Sequence, residues 1–146
     1  MADLPHRYLI EARAAAEGSV ALDSPGLPSL EGAPPPQFDG PGNIWSPEAL
    51  LLASLSSCFA LAFRVLAGNS KLLWSDLQCR TEGFVDRGDG GMRFTEIQLQ
   101  VRLTVPEGQN LQRAQRLLER AEKICPVSAS LAVPVHLRAE IDEERT

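Results

Sequence analysis

Basic residues are too few and too scattered in this chain for a dedicated nucleic-acid binder. The 14 Lys and Arg stand against 19 Asp and Glu, a formal charge of -5, whereas affinity for phosphate backbones comes from a cationic excess. No basic stripe is visible, and only Lys71 and Lys123 among the cations are lysines. Cysteine is scarce as well. Cys58, Cys79 and Cys125 are odd in number and widely spread, unlike the dense, even framework of small secreted domains. A chain of 146 residues is also long enough to close a core without staples, and one domain over 1–146 is expected. A reducing compartment fits this usage. The stretch MADLPHRYLIEAR lacks the uninterrupted apolar run of a signal peptide, so the expected location is the cytoplasm.

Several sites are missing by motif. There is no G-x-S-x-G elbow, no G-x-x-x-x-G-K-[ST] phosphate loop and no G-x-G-x-x-G opening a helix. His6 and His136 fall on separate predicted strands, and no C-x-x-C or H-x-x-x-H pair exists. The two histidines read as ordinary strand residues, and neither a metal nor a cofactor is expected.

What is present alternates between strand and helix periodicity. Residues 4–13 alternate as one strand, and Val20 and Leu22 begin a second. Pro25 to Pro47 holds seven prolines and four glycines, a density that neither helix nor interior strand tolerates. A long structured loop near a site is expected there. Ser46-Pro47-Glu48 then opens a helix, with a hydroxyl to accept an early amide, a proline where no amide partner is needed, and an acid at the positive end. Gly68-Asn69 ends it. Leu77, Cys79, Thr81, Gly83 and Val85 share one face of the next strand, and Asp86–Gly91 reverses the chain. Ile97, Leu99, Val101, Leu103 and Val105 form the apolar face of another strand. Leu111, Ala114, Leu117, Leu118 and Ala121 recur at helical spacing. Pro126 starts a short helix through about Leu131 with Cys125 as its cap. Val133, Val135, Leu137, Ala139 and Ile141 line a last strand. This order predicts an α+β domain with mainly antiparallel strands.

The segment Ala49–Ala67, ALLLASLSSCFALAFRVLA, approaches the length of a membrane span. Arg64 within it and the absence of a basic flank count against the membrane. The reading adopted is a helix apolar on all sides, set at the centre of a globule or of a dimer.

The three cysteines divide by setting. Cys79 shares an apolar strand face and reads as a small hydrophobe. Cys58 lies inside the apolar helix, where burial raises a thiol pKa and protects it, so core packing and redox activity both remain open. Cys125 sits at a helix start, where backbone amides favour the thiolate, a modest redox signal. For Phe38 and Trp45 the alternatives are a substrate pocket and simple packing of the proline-rich loop.

The sequence PPPQFDGPGNIWSPEALLLASLSSCFALAFRVLA at Pro34–Ala67, followed by ICPVSASL at Ile124–Leu131, resembles the OsmC/Ohr family of osmotically inducible and organic hydroperoxide resistance proteins. The glycine-rich approach, the S-P-E helix start, the Ser-Cys-Phe and the Cys-Pro-Val follow the family's order. The resemblance implies an OsmC-like α+β fold, an intertwined homodimer around two long central helices, and a cytoplasmic thiol peroxidase needing no cofactor. Cys58 would be the peroxidatic cysteine, oxidised to a sulfenic acid by a small organic hydroperoxide. Cys125 would resolve it as a disulfide, which an external dithiol reduces. Glu48 matches the family's active-site glutamate. Ten helical residues separate it from Cys58, about 15 Å along the axis, so it would act from the partner protomer.

One departure stands out. The hydroperoxide-resistance branch carries an arginine whose equivalent place falls near Ala16, and Arg13 is the nearest candidate. Without such a guanidinium Cys58 loses an obvious source of thiolate stabilisation, and activity would be weak. That departure favours the alternative, an OsmC-like stress protein that binds a small ligand at the dimer cleft without catalysis.

Overall fold

Two three-stranded sheets organise the chain, one in each of two units that meet in sequence at Leu51 and Leu52. The computed structural model describes residues 3–145. Mixed helix and strand with mainly antiparallel pairing agrees with the α+β expectation.

In the first unit, β1 (Glu11–Arg13), β2 (Val20–Asp23) and β3 (Leu30–Gly32) pair antiparallel in that order. Only the end of the alternating stretch 4–13 is strand. The proline-rich stretch is not loop throughout, because β3 occupies three residues between Pro28 and Pro34. Short length reconciles it with the prolines, which flank the strand and leave its amides free to pair. Gly32 bridges Trp45, and the Ala33 amide donates to the Trp45 carbonyl at 2.9 Å. One turn of 3-10 helix follows at Pro36–Phe38. The chain then folds back so tightly that a Cβ on Gly40 would lie 1.6 Å from the Pro34 carbonyl oxygen. Only glycine fits there.

Helix α1 (Pro47–Asn69) starts where the sequence predicts, with Ser46 Oγ accepting the Ala49 amide at 3.1 Å. Its end differs in detail. The Lys71 amide donates to Gly68 O and the Leu72 amide to Ala67 O, a Schellman closure in which Lys71, at φ 56°, takes the left-handed position usually given to glycine. Leu72 and Ala67 are both buried, which supplies the apolar contact that accompanies this cap.

In the second unit, β4 (Asp76–Gly88) and β5 (Gly91–Pro106) form a long antiparallel hairpin closed by Asp89-Gly90. Helices α2 (Leu111–Ile124) and α3 (Pro126–Ser130) then carry the chain over to β6 (Val135–Glu144), which pairs parallel to β5. A parallel partner requires such a crossover. The sheet order is β4-β5-β6. Leu99, Val101, Leu103 and Val105 face Phe59, Phe63 and Leu66 of α1 and Ala114, Leu117, Leu118 and Ala121 of α2 in one buried cluster.

The hairpin contains a register shift that the alternation of Ile97–Val105 does not announce. Phe84 pairs Glu96 while Val85 pairs Phe94, leaving Thr95 as the extra residue. A bulge of this kind exchanges the faces beyond it. Phe94 thereby packs on a second cluster, built from Leu55, Ile97, Cys125 and Val133. Gly83 makes room for its ring, since a Cβ there would lie 2.8 Å from Phe94 Cε1 and 3.0 Å from Leu52 Cδ2.

Helix α1 is buried along one side only, through Leu55, Phe59, Phe63, Leu66 and Ala67. Its other side leaves Leu61 54% and Val65 59% exposed. By length and composition alone it could cross a membrane.

Candidate redox site

The second apolar cluster brings two thiols together. Cys58 projects from the middle of α1 and is half-buried; Cys125, between α2 and α3, is fully buried. Leu55, one turn before Cys58, and Ile97 on β5 are buried beside them. Both thiols pack on this one cluster, close enough for Cys58 to bear on the titration of Cys125.

Local sequence explains how Cys125 gets there. Ile124 closes α2, Cys125 turns the chain with extended backbone at φ -63° and ψ 115°, and Pro126 begins α3. The Cys125 sulfur accepts the Ser128 amide at 3.4 Å. Burial pushes the Cys125 thiol up to about 11 and the neighbouring Cys58 pushes the same way, against the Ser128 and Val127 amides, which favour the thiolate. At neutral pH the Cys125 thiol is therefore protonated. Burial also pushes Cys79 to about 11. Cys79 packs against the larger core with Leu77, away from the pair, as its strand position predicts.

The remaining candidates lie in the first unit. Glu48 occupies the first turn of α1, and its Oε1 is buried without a hydrogen-bond partner among the described residues. Arg13 is exposed on β1, with its guanidinium 3.7 Å from Glu11. Trp45 lines a concavity of about 350 Å³ together with Pro35, Pro36, Ile44 and Ala49. Phe38, close in sequence, is exposed and lies outside that lining. No cluster of His, Cys, Asp and Glu able to hold a metal occurs among the described residues.

Two residues near Cys125 escaped the reading of the sequence. Ser128 Oγ donates to Glu122 Oε1 at 2.8 Å, and the signal available was spacing alone: Ser128 stands three residues after the cap and Glu122 three before it.

Comparison with known proteins matches the chain to the OsmC-like protein family over residues 40–140. The uncharacterised protein YmaD of Bacillus subtilis is 26% identical over 109 residues, 73% of each chain. An OsmC-like protein of unknown function from Vibrio cholerae has a fold similar at TM-score 0.85, with 16% identity over 93% of this chain and 100% of its own. An organic hydroperoxide resistance protein OsmC from Legionella pneumophila aligns at TM-score 0.75 and 23% identity, over 96% of this chain and 99% of its own. With the family's sequence pattern running from Gly40 to Glu140 and its fold reproduced, this chain belongs to the OsmC/Ohr family.

Proposed function

We propose that the protein is a thiol peroxidase that reduces organic hydroperoxides through Cys58 and Cys125. The observation that carries this reading is the packing of the two cysteines, 67 positions apart in sequence, on one apolar cluster. In the first step the Cys58 thiolate attacks the outer peroxide oxygen; the O–O bond breaks, an alcohol leaves with one proton, and Cys58 becomes a sulfenic acid. Next the Cys125 sulfur displaces that hydroxyl, which departs with a proton as water, and an S–S bond forms. An external dithiol then restores both thiols by two exchanges and is itself oxidised to a disulfide.

The half-buried setting of Cys58 supports its role as the peroxide-facing thiol, and the protonated state of Cys125 supports its role as the second reactant. The organic class of peroxide draws on the Legionella protein's description, with Trp45 and its apolar neighbours, together with Phe38, as the proposed contacts for the carbon chain. A buried carboxylate oxygen without a donor, as on Glu48, is costly, and a guanidinium is the group that would satisfy it; Arg13 is the proposed source. The working form is a homodimer in the cytoplasm. A second copy placed against α1 would cover Leu61 and Val65, and the proposed role of Glu48 is at the partner's Cys58.

Purified protein with cumene hydroperoxide and dihydrolipoic acid tests the reading. Catalytic loss of hydroperoxide that disappears in Cys58→Ser supports it. No consumption, with both thiols still free by intact mass, overturns it in favour of a ligand-binding stress protein.

A further inference from the structure

Ser128 acts on the surroundings of Cys125 through two different groups. Its amide donates to Cys125 Sγ at 3.4 Å, and its hydroxyl donates to Glu122 Oε1 at 2.8 Å. Glu122 lies in the last turn of α2. Carboxylate, hydroxyl, amide and sulfur thus form one chain around the bend between the two helices. Helix α3 has five residues, too few to hold a direction by itself. Its internal bonds, Ala129 N to Cys125 O at 3.0 Å and Ser130 Oγ to Pro126 O at 2.7 Å, fix its shape but not its aim. The bond from Ser128 to Glu122 reaches back to α2 and fixes that aim.

Disulfide formation makes a strict geometric demand, since the two sulfurs end about 2.05 Å apart with a restricted dihedral angle. We propose that Ser128 and Glu122 are positioning residues for the resolving step: Glu122 holds the Ser128 hydroxyl, and Ser128 thereby keeps its amide on Cys125 Sγ and that sulfur directed at Cys58. The inference rests on the peroxidase reading. In the step concerned the Cys125–Cys58 S–S bond forms, the Cys58 S–OH bond breaks, and the Cys125 proton leaves with the hydroxyl as water. Negative charge gathers on Cys125 Sγ as its proton departs, and a hydrogen bond to a charged acceptor is stronger than one to a neutral acceptor. Because the sulfur is fully buried, the amide takes the place that water would otherwise fill. During reduction the dithiol attacks Cys58, the more accessible sulfur, and Cys125 leaves toward the same amide.

The reduced full-length protein is mixed with one equivalent of cumene hydroperoxide, quenched at intervals with dimedone and weighed intact, so that sulfenic acid and disulfide are counted separately. Ser128→Ala and Glu122→Ala are expected to slow conversion of sulfenic acid to disulfide by about tenfold or more, the scale of effect seen when a reacting group is misplaced. Ser128→Thr and Glu122→Gln, which keep the hydroxyl and the acceptor, restore the wild-type rate. If Ser128→Ala fails to fold, the contrast between Glu122→Ala and Glu122→Gln decides. Wild-type conversion rates in both alanine variants, even with lowered melting temperatures, overturn the inference and leave the peroxidase reading standing. A wild-type protein that forms no disulfide overturns both.

Discussion

Cys125 and Cys58 pack on one apolar cluster, although the first caps a five-residue helix and the second sits in the middle of a 23-residue one. In Cys125→Ser the resolving partner is lost, so one equivalent of hydroperoxide is consumed and the protein stops as a Cys58 sulfenic acid. Cys58→Ser consumes none above the uncatalysed background. Peroxide assay beside intact mass separates the two outcomes, and equal turnover in Cys125→Ser and wild type would exclude the disulfide route.

Two thiols make the fold sensitive to alkali. Burial raises Cys79 and Cys125 from the ordinary 9.0 to about 11. The unfolded chain ionises these groups near 9 while the folded chain still holds their protons. Stability from this source is therefore complete below pH 9 and lost as pH rises toward 11. Urea midpoints at pH 8 and pH 10.5 under reductant should fall, and Cys79→Ala should fall less than wild type. A parallel decline in the two proteins would contradict the assignment to Cys79.

Gly83 is a packing glycine, not a turn glycine. A methyl group there meets Phe94 Cε1 at 2.8 Å and Leu52 Cδ2 at 3.0 Å, so both side chains are forced aside. Gly83→Ala should destabilise the protein by about 1–3 kcal/mol, the usual range for overpacking. Denaturant unfolding measures this directly, and an unchanged midpoint would mean that Phe94 rotates away at no cost.

Lys71 offers the opposite sign. A lysine in the left-handed position carries a steric cost of about 1–2 kcal/mol, partly offset in the unfolded chain because glycine has more freedom to lose. Lys71→Gly should raise stability by up to about 1 kcal/mol, or about 2–4 °C in a chain of this size. Calorimetry that shows a lower melting temperature would place a stabilising role in the lysine side chain itself.

Much of this architecture was legible in the residues. Ser46-Pro47-Glu48 marks the start of α1 because its cap chemistry is local, and the alternation of Ile97–Val105 marks β5 because one face meets a core. Pro126 after Cys125 likewise marks α3. Long-range pairing was harder to read. Alternation in Val135–Ile141 announces a strand but not its neighbour or direction, so the parallel pairing with β5 is invisible in it. The bulge at Thr95 conceals the first part of β5, where Phe94 falls out of phase with Ile97. Strand β3 is masked by the prolines on either side of it. For the site, spacing alone left Cys58 open between core and chemistry, because burial argues for the first and only proximity to Cys125 argues for the second. The bond between Glu122 and Ser128 has no sequence signature beyond helical spacing, as a side-chain contact across a bend depends on the bend.

The parallel placement of β6 governs when the two thiols meet. The hairpin of β4 and β5 closes across two residues and can form locally, but β6 finds its register only after residues 107–134 have been laid across as α2 and α3. Contacts of such sequence separation are entropically late in folding. Cys125 lies inside that crossover. A chain still being made thus carries three unrelated thiols, each exposed to oxidants alone, and the pair comes into being only as the crossover docks. Under the proposed function, competence for disulfide chemistry is in this sense a report that the topology is finished.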